Sequence, residues 1–500
     1  MPGAFPDRVM PVFDDLRGFL AELDRRGHLK RVSEPVSLIH EMTEIHRRVL
    51  AADGPALLFE RPLDGDGQVR PIPVLVNLFG SLERIAWGMG LDLQTLPALG
   101  EALAALRAPD APVSLGDAMG KLPFLRAGLM MRSRWISHAP SQECVLTGAR
   151  TTLDILPAQW CWPGEPAPLI TWPLVITSAP GDPDDVNVGV YRMQILGPRR
   201  AIIRWLPQRG GARHHCMWKA MGRDMPVAVA IGADPATILS AVMPLPESMS
   251  ELAFSGLLRR RRVELARAKS VPLPVPARAE FVIEGMVSAS ELADEGPFGD
   301  HTGYYNGVEP FPVMKVTAIT TRRDPIYLST YTGRPPDEPS RLGEAMTPLF
   351  VPIVRRMFPE ILDLWLPPEA CSYRTMVVAI DKRYAGQARR VMMGLWSMLP
   401  QFSYTKLIIM VDGDIDIRNW ADVFWAISTR FDAPRDMVVV PDTPVDYLDF
   451  ASAKSGLGGK LGLDATNKLP PETERAWGRV LDTTPEVRAR VEALWPKLGL

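Results

Sequence analysis

Two acidic side chains stand five residues apart in the stretch EGPFGDHTGYY, residues 295–305. Two glycines and a proline accompany Glu295 and Asp300, and such residues favour a tight bend that brings the two carboxyl groups together. Two close carboxylates do not both ionise cheaply, so one is expected to keep its proton near neutral pH. The pair would then supply an acid and a base for proton transfer. The alternative is a surface turn, where Asp, Gly and Pro are the usual residues.

A second candidate is the strand-like stretch NVGVYRMQIL, residues 187–196. Arg192 would place a charge inside an apolar strand, which calls for a partner or a ligand. The alternative is an arginine on the solvated face of a half-exposed strand. Asn187 and Arg192 are an odd number of residues apart, so a regular strand sends them to opposite faces. A shared site requires a bend, and Gly189 is its expected place.

A third candidate is RWLPQRGGARHH, residues 204–215. Arginine forks and closely approaching glycine amides are typical of an anion site, although a generic loop remains the alternative. The neighbouring His214, His215 and Cys216 do not predict a metal site, because adjacent ligands do not close a tetrahedral site by themselves.

The elements that must position these residues indicate a multidomain α/β protein. In residues 1–122, a helical pattern over FDDLRGFLAELDRRGHLKRV and two buried strands, ALLFE and IPVLVNLFG, predict an α/β domain. Short strands rich in β-branched residues fill residues 123–330 and predict a split, barrel-like β domain. One helical excursion, SMSELAFSGLLRRRRVELARA, interrupts these strands.

Residues 331–500 alternate strands with helices, the βαβαβ pattern of an open, mostly parallel sheet. A glycine-rich piece, SGLGGKLGLDATNK, precedes a terminal amphipathic helix.

The composition of the chain limits the classes of partner and the cellular location to be expected. The chain has 500 residues, 46% hydrophobic and 23% charged, with a net charge of −2 that gives no argument for nucleic acid or an anionic bilayer. Four scattered cysteines without a CxxC pair fit reduced thiols in the cytoplasm. No apolar run reaches the length of a membrane helix. We therefore expect a soluble chain, or one lying on a membrane surface.

The same stretches resemble the UbiD family of decarboxylases, which depend on prenylated FMN. The likeness is carried in chain order by NVGVYR, RWLPQRGGA, SELAFSGLLR, EGPFGDHTGYY, STYTGRPPDEP, VMMGLWS, YTK and SGLGGKLGLDATNK. The pieces STYTGRPPDEP, LPPEACSYR and PVDYLDFASAKSGLGGKLGLDATNK resemble the branch that decarboxylates 3-polyprenyl-4-hydroxybenzoate in ubiquinone biosynthesis. An enzyme acting on another aromatic or heteroaromatic acid is the alternative, and a non-catalytic flavin carrier is the alternative from another class.

The resemblance implies roles for the candidate residues. Asp300 corresponds to the proton donor, Glu295 to its companion carboxylate, and Arg192 to the arginine that pairs with Glu295. The central domain of residues 123–330 is implied to bind the flavin. The implied cofactor contacts are Val190, Tyr191, Arg192, Arg204, Trp205, Leu206, Arg209 and Gly210.

A divalent metal, usually manganese, holds the cofactor phosphate in the family. Its ligands correspond to Asn187 and Glu251, and hard oxygen ligands suit Mn²⁺. A histidine ligand that some relatives place near Gln208 and Arg209 is absent from this sequence, so Arg209 is expected to meet the phosphate directly. Lys460 is a further candidate for the cofactor or the substrate entrance.

The resemblance also implies partners. The expected substrate is an aromatic carboxylic acid carrying a polyprenyl chain, and a flavin prenyltransferase supplies the cofactor. Assembly is expected through the C-terminal domain, often as a hexamer. The expected location is the cytoplasm, with a peripheral position on the cytoplasmic face of the membrane left open.

Overall fold

The computed structural model describes residues 5–107, 128–206, 209–245 and 249–499. The domain boundary expected at residue 122 and the side chain of Gln208 lie outside these ranges. Within them, no helix combines the length and the apolar character needed to cross a membrane.

The described residues form both helices and strands. The helices are α1 Leu16–Arg25, α2 Glu41–Ala51, α3 Leu82–Gly88, α4 Leu96–Arg107, α5 Gly210–Ala220, α6 Pro235–Ser240, α7 Glu251–Arg259, α8 Glu338–Arg355, α9 Gln387–Met398, α10 Trp420–Arg430, α11 Ala433–Asp436 and α12 Pro485–Leu498. The strands are β1 Leu29–Val32, β2 Val36–Ser37, β3 Ala56–Phe59, β4 Pro62–Leu63, β5 Val74–Val76, β6 Arg134–Trp135, β7 Cys144–Thr147, β8 Leu169–Ile170, β9 Leu174–Ala179, β10 Asp182–Val190, β11 Met193–Gly197, β12 Arg200–Ile203, β13 Met225–Ile231, β14 Glu264–Arg267, β15 Pro274–Pro276, β16 Phe281–Glu295, β17 Glu309–Thr321, β18 Tyr327–Leu328, β19 Ile361–Trp365, β20 Thr375–Ile380, β21 Leu407–Asp412, β22 Met437–Pro444 and β23 Leu457–Asp464.

The N-terminal region is the predicted α/β unit. The first helix, α1, begins where the Asp15 carboxylate accepts a hydrogen bond from the Gly18 amide, and its apolar face is buried. The neighbouring sheet has the order β1-β3-β5-β18. Its last strand, β18, comes from residues 327–328, so the chain returns to this sheet after it has built the central one.

The central sheet has nine strands and is antiparallel throughout. Eight strands follow the order β10-β9-β13-β16-β17-β12-β11-β8, and β7 also pairs with β17. Among the described residues β10 and β8 do not pair with each other, so the sheet is open rather than a closed barrel. The predicted helical excursion is shorter than expected, because after α7 the chain continues as strand β14.

The C-terminal sheet has the order β19-β20-β21-β23-β22. Its three inner strands are parallel and its two edge strands antiparallel, which confirms the open, mostly parallel sheet. The glycine-rich piece is not a loop: it contains β23, an inner strand. A Cβ on Gly462 would lie 2.5 Å from Met392 Sδ of α9, so glycine here lets the helix pack closely against the sheet.

One hydrophobic core runs through all three regions. It joins α1 and the N-terminal sheet to the central sheet, to α8 and to α9. A smaller cluster lies beneath α10 on the other face of the C-terminal sheet. The three regions therefore fix one another, and residues from different regions can share one site.

Candidate active site

The loop between β16 and β17 positions the two acids. Strand β16 ends at Glu295, and Asp300 lies within the loop that follows. The Asn306 side chain accepts a hydrogen bond from the Phe298 amide at 2.7 Å, while the Asn306 amide donates to the Phe298 carbonyl at 3.0 Å. These bonds close the loop on itself, as its glycines and proline predict.

The residue before Asp300 is clamped by two other segments. The Gly299 amide donates to the Glu165 carboxylate at 3.2 Å, and its carbonyl accepts from the Thr332 hydroxyl at 2.9 Å. A Cβ on Gly299 would lie 2.1 Å from Trp162 Cδ1. The Trp162 indole is itself fixed, because its N–H donates to the Thr332 carbonyl. Only glycine fits this position.

Arg192 binds both acids. Its Nε and Nη2 donate to the two oxygens of Glu295 at 2.7 and 3.1 Å, and its Nη1 donates to Asp300 Oδ2 at 2.7 Å. Arg192 lies where β10 ends and β11 has not begun, so the bend predicted at Gly189 is wrong in position. Gly189 pairs regularly with Val175, and its missing Cβ leaves room for the Tyr191 ring.

Glu295 is fully buried and receives a second arginine. Arg204 Nη1 donates to Glu295 Oε2 at 2.5 Å, and the Asn306 amide group donates to the same oxygen at 3.2 Å. Burying a carboxylate is costly unless charged donors surround it, and here two guanidinium groups do so.

The expectation that one carboxyl keeps its proton is wrong for Asp300 in this state. Burial favours the neutral acid, but the Arg192 charge and hydrogen bonds from His301 outweigh it and lower the Asp300 pKa below its ordinary value. His301 donates from its backbone amide to Asp300 Oδ1, and its Nδ1 lies 2.8 Å from the same oxygen. The Tyr447 hydroxyl donates to Oδ2 at 3.4 Å.

A cavity of about 490 Å³ opens beside this cluster, between the central sheet and the C-terminal region. Its walls include the predicted cofactor contacts Trp205, Leu206 and Arg209. Tyr447, which donates to Asp300, lines the cavity as well. The acidic cluster therefore borders a space large enough for an aromatic ligand.

The expected metal ligands lie on two neighbouring elements, Asn187 on β10 and Glu251 at the start of α7. The backbone amide of Val188, next to Asn187 in β10, donates to Glu251 Oε2 at 3.0 Å. A Cβ on Gly210 would lie 2.0 Å from Asn187 Oδ1, so glycine allows α5 to begin against that side chain.

Glu251 is a half-buried acid without a cationic partner among the described residues. No described Lys, Arg or His forms an ion pair with it, and burial raises its pKa to about 7. Such a carboxylate gains from a divalent cation, so Asn187 and Glu251 fit the expected metal. The described residues contain no group of three or more His, Cys, Asp or Glu placed to hold a metal. The fit therefore depends on these two oxygen donors.

Three other predicted contacts of the cofactor or substrate, Val190, Tyr191 and Lys460, contact protein groups in this structure. Val190 ends β10 and packs on the core, and the Tyr191 hydroxyl accepts from the Gly211 amide at 3.3 Å. Lys460 lies on the buried face of β23 and donates to three backbone carbonyls, including Pro444 in the cavity wall. It supports the wall rather than reaching into the cavity, which corrects its expected place.

Four residues of the site were given no role in the analysis of the sequence. His301 and Tyr447 bind Asp300, Glu309 shares Arg204 with Glu295, and Glu165 holds Gly299. His301 had a visible signal, since it directly follows Asp300. Tyr447 and Glu165 come from distant segments, and only the folded chain brings them together.

Three family models match the chain in order. Residues 20–103 match the N-terminal domain of 3-octaprenyl-4-hydroxybenzoate carboxy-lyase, residues 134–335 its Rift-related domain, and residues 340–465 its C-terminal domain. These ranges cover most of the chain and contain all the candidate site residues.

Solved structures of UbiD-class enzymes are similar over nearly their whole length. HmfF from Pelotomaculum thermopropionicum in complex with FMN is 28% identical, with 95% of this chain and 98% of HmfF covered and a TM-score of 0.77. An evolved dimeric form of HmfF in complex with prFMN is 28% identical over 95% and 98%, with a TM-score of 0.74. Vanillic acid decarboxylase from Sedimentibacter hydroxybenzoicus, in its closed form, is 26% identical over 97% and 99%, with a TM-score of 0.81. With its three matched domains and its buried Arg192–Glu295–Asp300 cluster, this chain belongs to the UbiD family of carboxy-lyases, the decarboxylases that act with prenylated FMN.

Proposed function

We propose that this enzyme decarboxylates a 3-polyprenyl-4-hydroxybenzoate to a 2-polyprenylphenol in ubiquinone biosynthesis. The observation that carries the proposal is the buried cluster in which Arg192 holds Glu295 and Asp300 beside an aromatic-lined cavity. Loss of carbon dioxide from an aromatic acid requires a place for the electron pair and a proton for the ring carbon. Such a cluster can supply the proton and orient the substrate.

Prenylated FMN and a divalent metal are the proposed cofactors. Bound in the cavity, the modified flavin would supply the electron sink that the aromatic ring lacks. Trp205, Leu206 and Arg209 would hold it, because they line the cavity. Asn187 and Glu251 would hold Mn²⁺ or a similar ion at the phosphate end.

The side chains of the cluster would deliver the proton and orient the substrate. Asp300 would deliver the proton to the carbon that loses its carboxyl group. Arg192 would orient both acids and face the substrate carboxylate, for which a guanidinium fork is the matching partner. Arg204 would hold Glu295 in place.

An exposed aromatic pair supports a substrate with an apolar chain. Tyr304, in the loop that carries Asp300, packs edge to face against Phe450, which lies three residues after Tyr447; the ring centroids are 5.8 Å apart. Both rings are more than half exposed, at 65% and 57%. An apolar tail leaving the site would cover this pair. Decarboxylation of another aromatic or heteroaromatic acid is the second candidate, favoured by the vanillate relative.

Assembly and location are part of the proposal. We propose a homo-oligomer, with a hexamer as the expected state, formed through the C-terminal region. Helix α12 supports this, because Val491, Leu494 and Trp495 are apolar and exposed along it. A cytoplasmic enzyme, peripheral at the membrane, fits a lipid-linked substrate. A flavin prenyltransferase would supply the cofactor.

The deciding experiment is co-expression with a flavin prenyltransferase. Carbon dioxide release is then measured from a panel containing polyprenylated and free hydroxybenzoates, vanillate and furoic acids. Preference for the polyprenylated acids supports the proposal, whereas turnover of only a small acid supports the second candidate. Full activity without the prenyltransferase would exclude prenylated FMN.

A further inference from the structure

We propose that His301 relays a solvent proton to Asp300 in each turnover. The proposal rests on the function above, because it concerns the proton that Asp300 delivers. Replacing carbon dioxide by hydrogen consumes one proton per product, so the donor must be recharged each time. Asp300 is itself 8% exposed and is held as an anion between cationic and polar groups.

Among the described protein groups that contact Asp300, one is able to recharge it. Oδ2 accepts from Arg192 and from the Tyr447 hydroxyl. Oδ1 faces the His301 backbone amide and Nδ1, each at 2.8 Å. A guanidinium and a backbone amide do not release protons near neutral pH. Burial raises the Tyr447 pKa, so its phenol does not release one either. Among these protein groups, the imidazole is the remaining source.

The imidazole is also more exposed than Arg192 and the two acids that Arg192 binds. The His301 side chain is 20% exposed, against 11% for Asp300 and 1% for Glu295. His301 therefore touches the donor at one nitrogen while part of the side chain remains open to water. This is the geometry of a relay between a buried acid and solvent.

The charges around His301 favour its protonated form. Burial opposes the charge, but the hydrogen bond and charge of Asp300, together with Asp446, raise the His301 pKa above its ordinary value. Arg374 opposes these acids, and it is bound to Asp446 at 3.4 Å. Asp337 also lies within electrostatic reach of the imidazole. Asp300 and Asp446 together thus outweigh burial and Arg374 in their effect on the His301 pKa.

The step balances in protons and charge. The imidazolium Nδ1–H bond breaks as the Asp300 Oδ1–H bond forms, which leaves a neutral imidazole and a carboxylic acid. Asp300 then gives that proton to the ring carbon, where it joins the electron pair left by carbon dioxide. The imidazole regains a proton from water, so one solvent proton enters for each carbon dioxide released.

The test uses the holoenzyme loaded with cofactor and compares His301→Asn with His301→Ala. The asparagine amide can still donate to Asp300 but cannot titrate. We expect kcat to fall by about tenfold to a hundredfold in His301→Asn. The wild-type rate should decline as pH rises through the raised His301 pKa, and this limb should vanish in the variant. Added imidazole should restore part of the rate in His301→Ala but not in Asp300→Asn.

Two results would overturn the relay. If His301→Asn turns over at the wild-type rate with the wild-type pH profile, His301 merely holds the loop. If the wild-type holoenzyme decarboxylates no aromatic acid, the proposed function fails and the relay with it. Cofactor absorbance and Tm, measured for every variant, separate both results from misfolding. If His301→Ala does not fold, the His301→Asn pH profile alone decides.

Discussion

Glu295 and Glu309 face each other across β16 and β17, and the same guanidinium binds both carboxylates. They are directly opposite in the antiparallel register, where like charges destabilise a sheet. Arg204 donates to Glu295 at 2.5 Å and to Glu309 at 2.8 Å. Its guanidinium also lies 4.7 Å from the Phe311 ring centroid. The arginine thus neutralises a repulsive pair at the base of the catalytic loop.

Replacement of this arginine should destabilise the fold as well as the site. In Arg204→Met the buried Glu295 keeps only Arg192 as a charged partner and opposes Glu309 directly. We expect the free energy of unfolding to fall by about 3 kcal/mol. Glu309→Gln is the matched control: its side chain is 49% exposed, and it should cost less than about 1 kcal/mol. Denaturant unfolding measures both, and equal small losses would contradict the role of Arg204.

Removal of the proton donor should abolish most turnover without loss of cofactor. Asp300→Asn preserves shape, so we expect kcat to fall by about 10²- to 10⁴-fold while cofactor absorbance is retained. Glu295→Gln should also impair turnover, because Arg192 loses its charged partner. The two effects should not multiply, since the residues act as one unit. Solvent deuterium incorporation into product provides the measurement, and a parental rate in Asp300→Asn would reduce the loop to a structural turn.

The parts of the site that sequence predicts are those whose residues are close along the chain. The loop from Glu295 to Asp300 and the alternation in the C-terminal sheet depend on local propensity, and both predictions are confirmed. The bend was predicted at Gly189 rather than at Arg192, because a single sequence does not distinguish the end of a strand from a bulge at a glycine. The low pKa of Asp300 was missed because it depends on charges from Arg192 and His301, whose positions only the folded chain fixes.

Enlarging the clamped glycine should displace the proton donor. In Gly299→Ala the new methyl group would collide with the fixed Trp162 ring, which costs about 1–3 kcal/mol by overpacking. Turnover should fall further than stability, because Asp300 is the next residue. Gly307→Ala is the control from the same loop: its Cβ would meet nothing within 4 Å, so Tm and turnover should stay near wild type. Similar behaviour of both variants would contradict the clamp.

Metal binding should depend on Glu251. Because this half-buried carboxylate lacks a cation among the described side chains, Mn²⁺ should raise the Tm of the cofactor-free protein, and a chelator should reverse the rise. Glu251→Ala should lose both the Tm response and retention of the cofactor. Glu264→Gln is the control, since Glu264 already has Arg278 as a partner at 2.8 Å. A full Mn²⁺ response in Glu251→Ala would place the metal elsewhere.

The buried carboxylate of Glu338 should make stability depend on pH. Glu338 is fully buried at the start of α8, where its Oε1 accepts from the Phe79 amide at 2.6 Å. Its Oε2 lies 3.8 Å from Nε2 of His46, whose pKa burial lowers to about 3, so the imidazole stays neutral and offers no charge. Burial raises the Glu338 pKa from 4.5 to about 7.

Between those two values the native state binds more protons than the unfolded chain, so the Glu338 contribution to stability falls as pH rises. Glu338→Gln keeps the acceptor for Phe79 and removes the titration, whereas the dependence due to His46 remains in both proteins. The difference in Tm, variant minus wild type, should therefore increase from about pH 5 to about pH 8. Glu83→Gln, which changes an exposed carboxylate in α3, should show a constant difference. A constant difference for Glu338→Gln as well would mean that this carboxyl is already ionised in the native protein at pH 5.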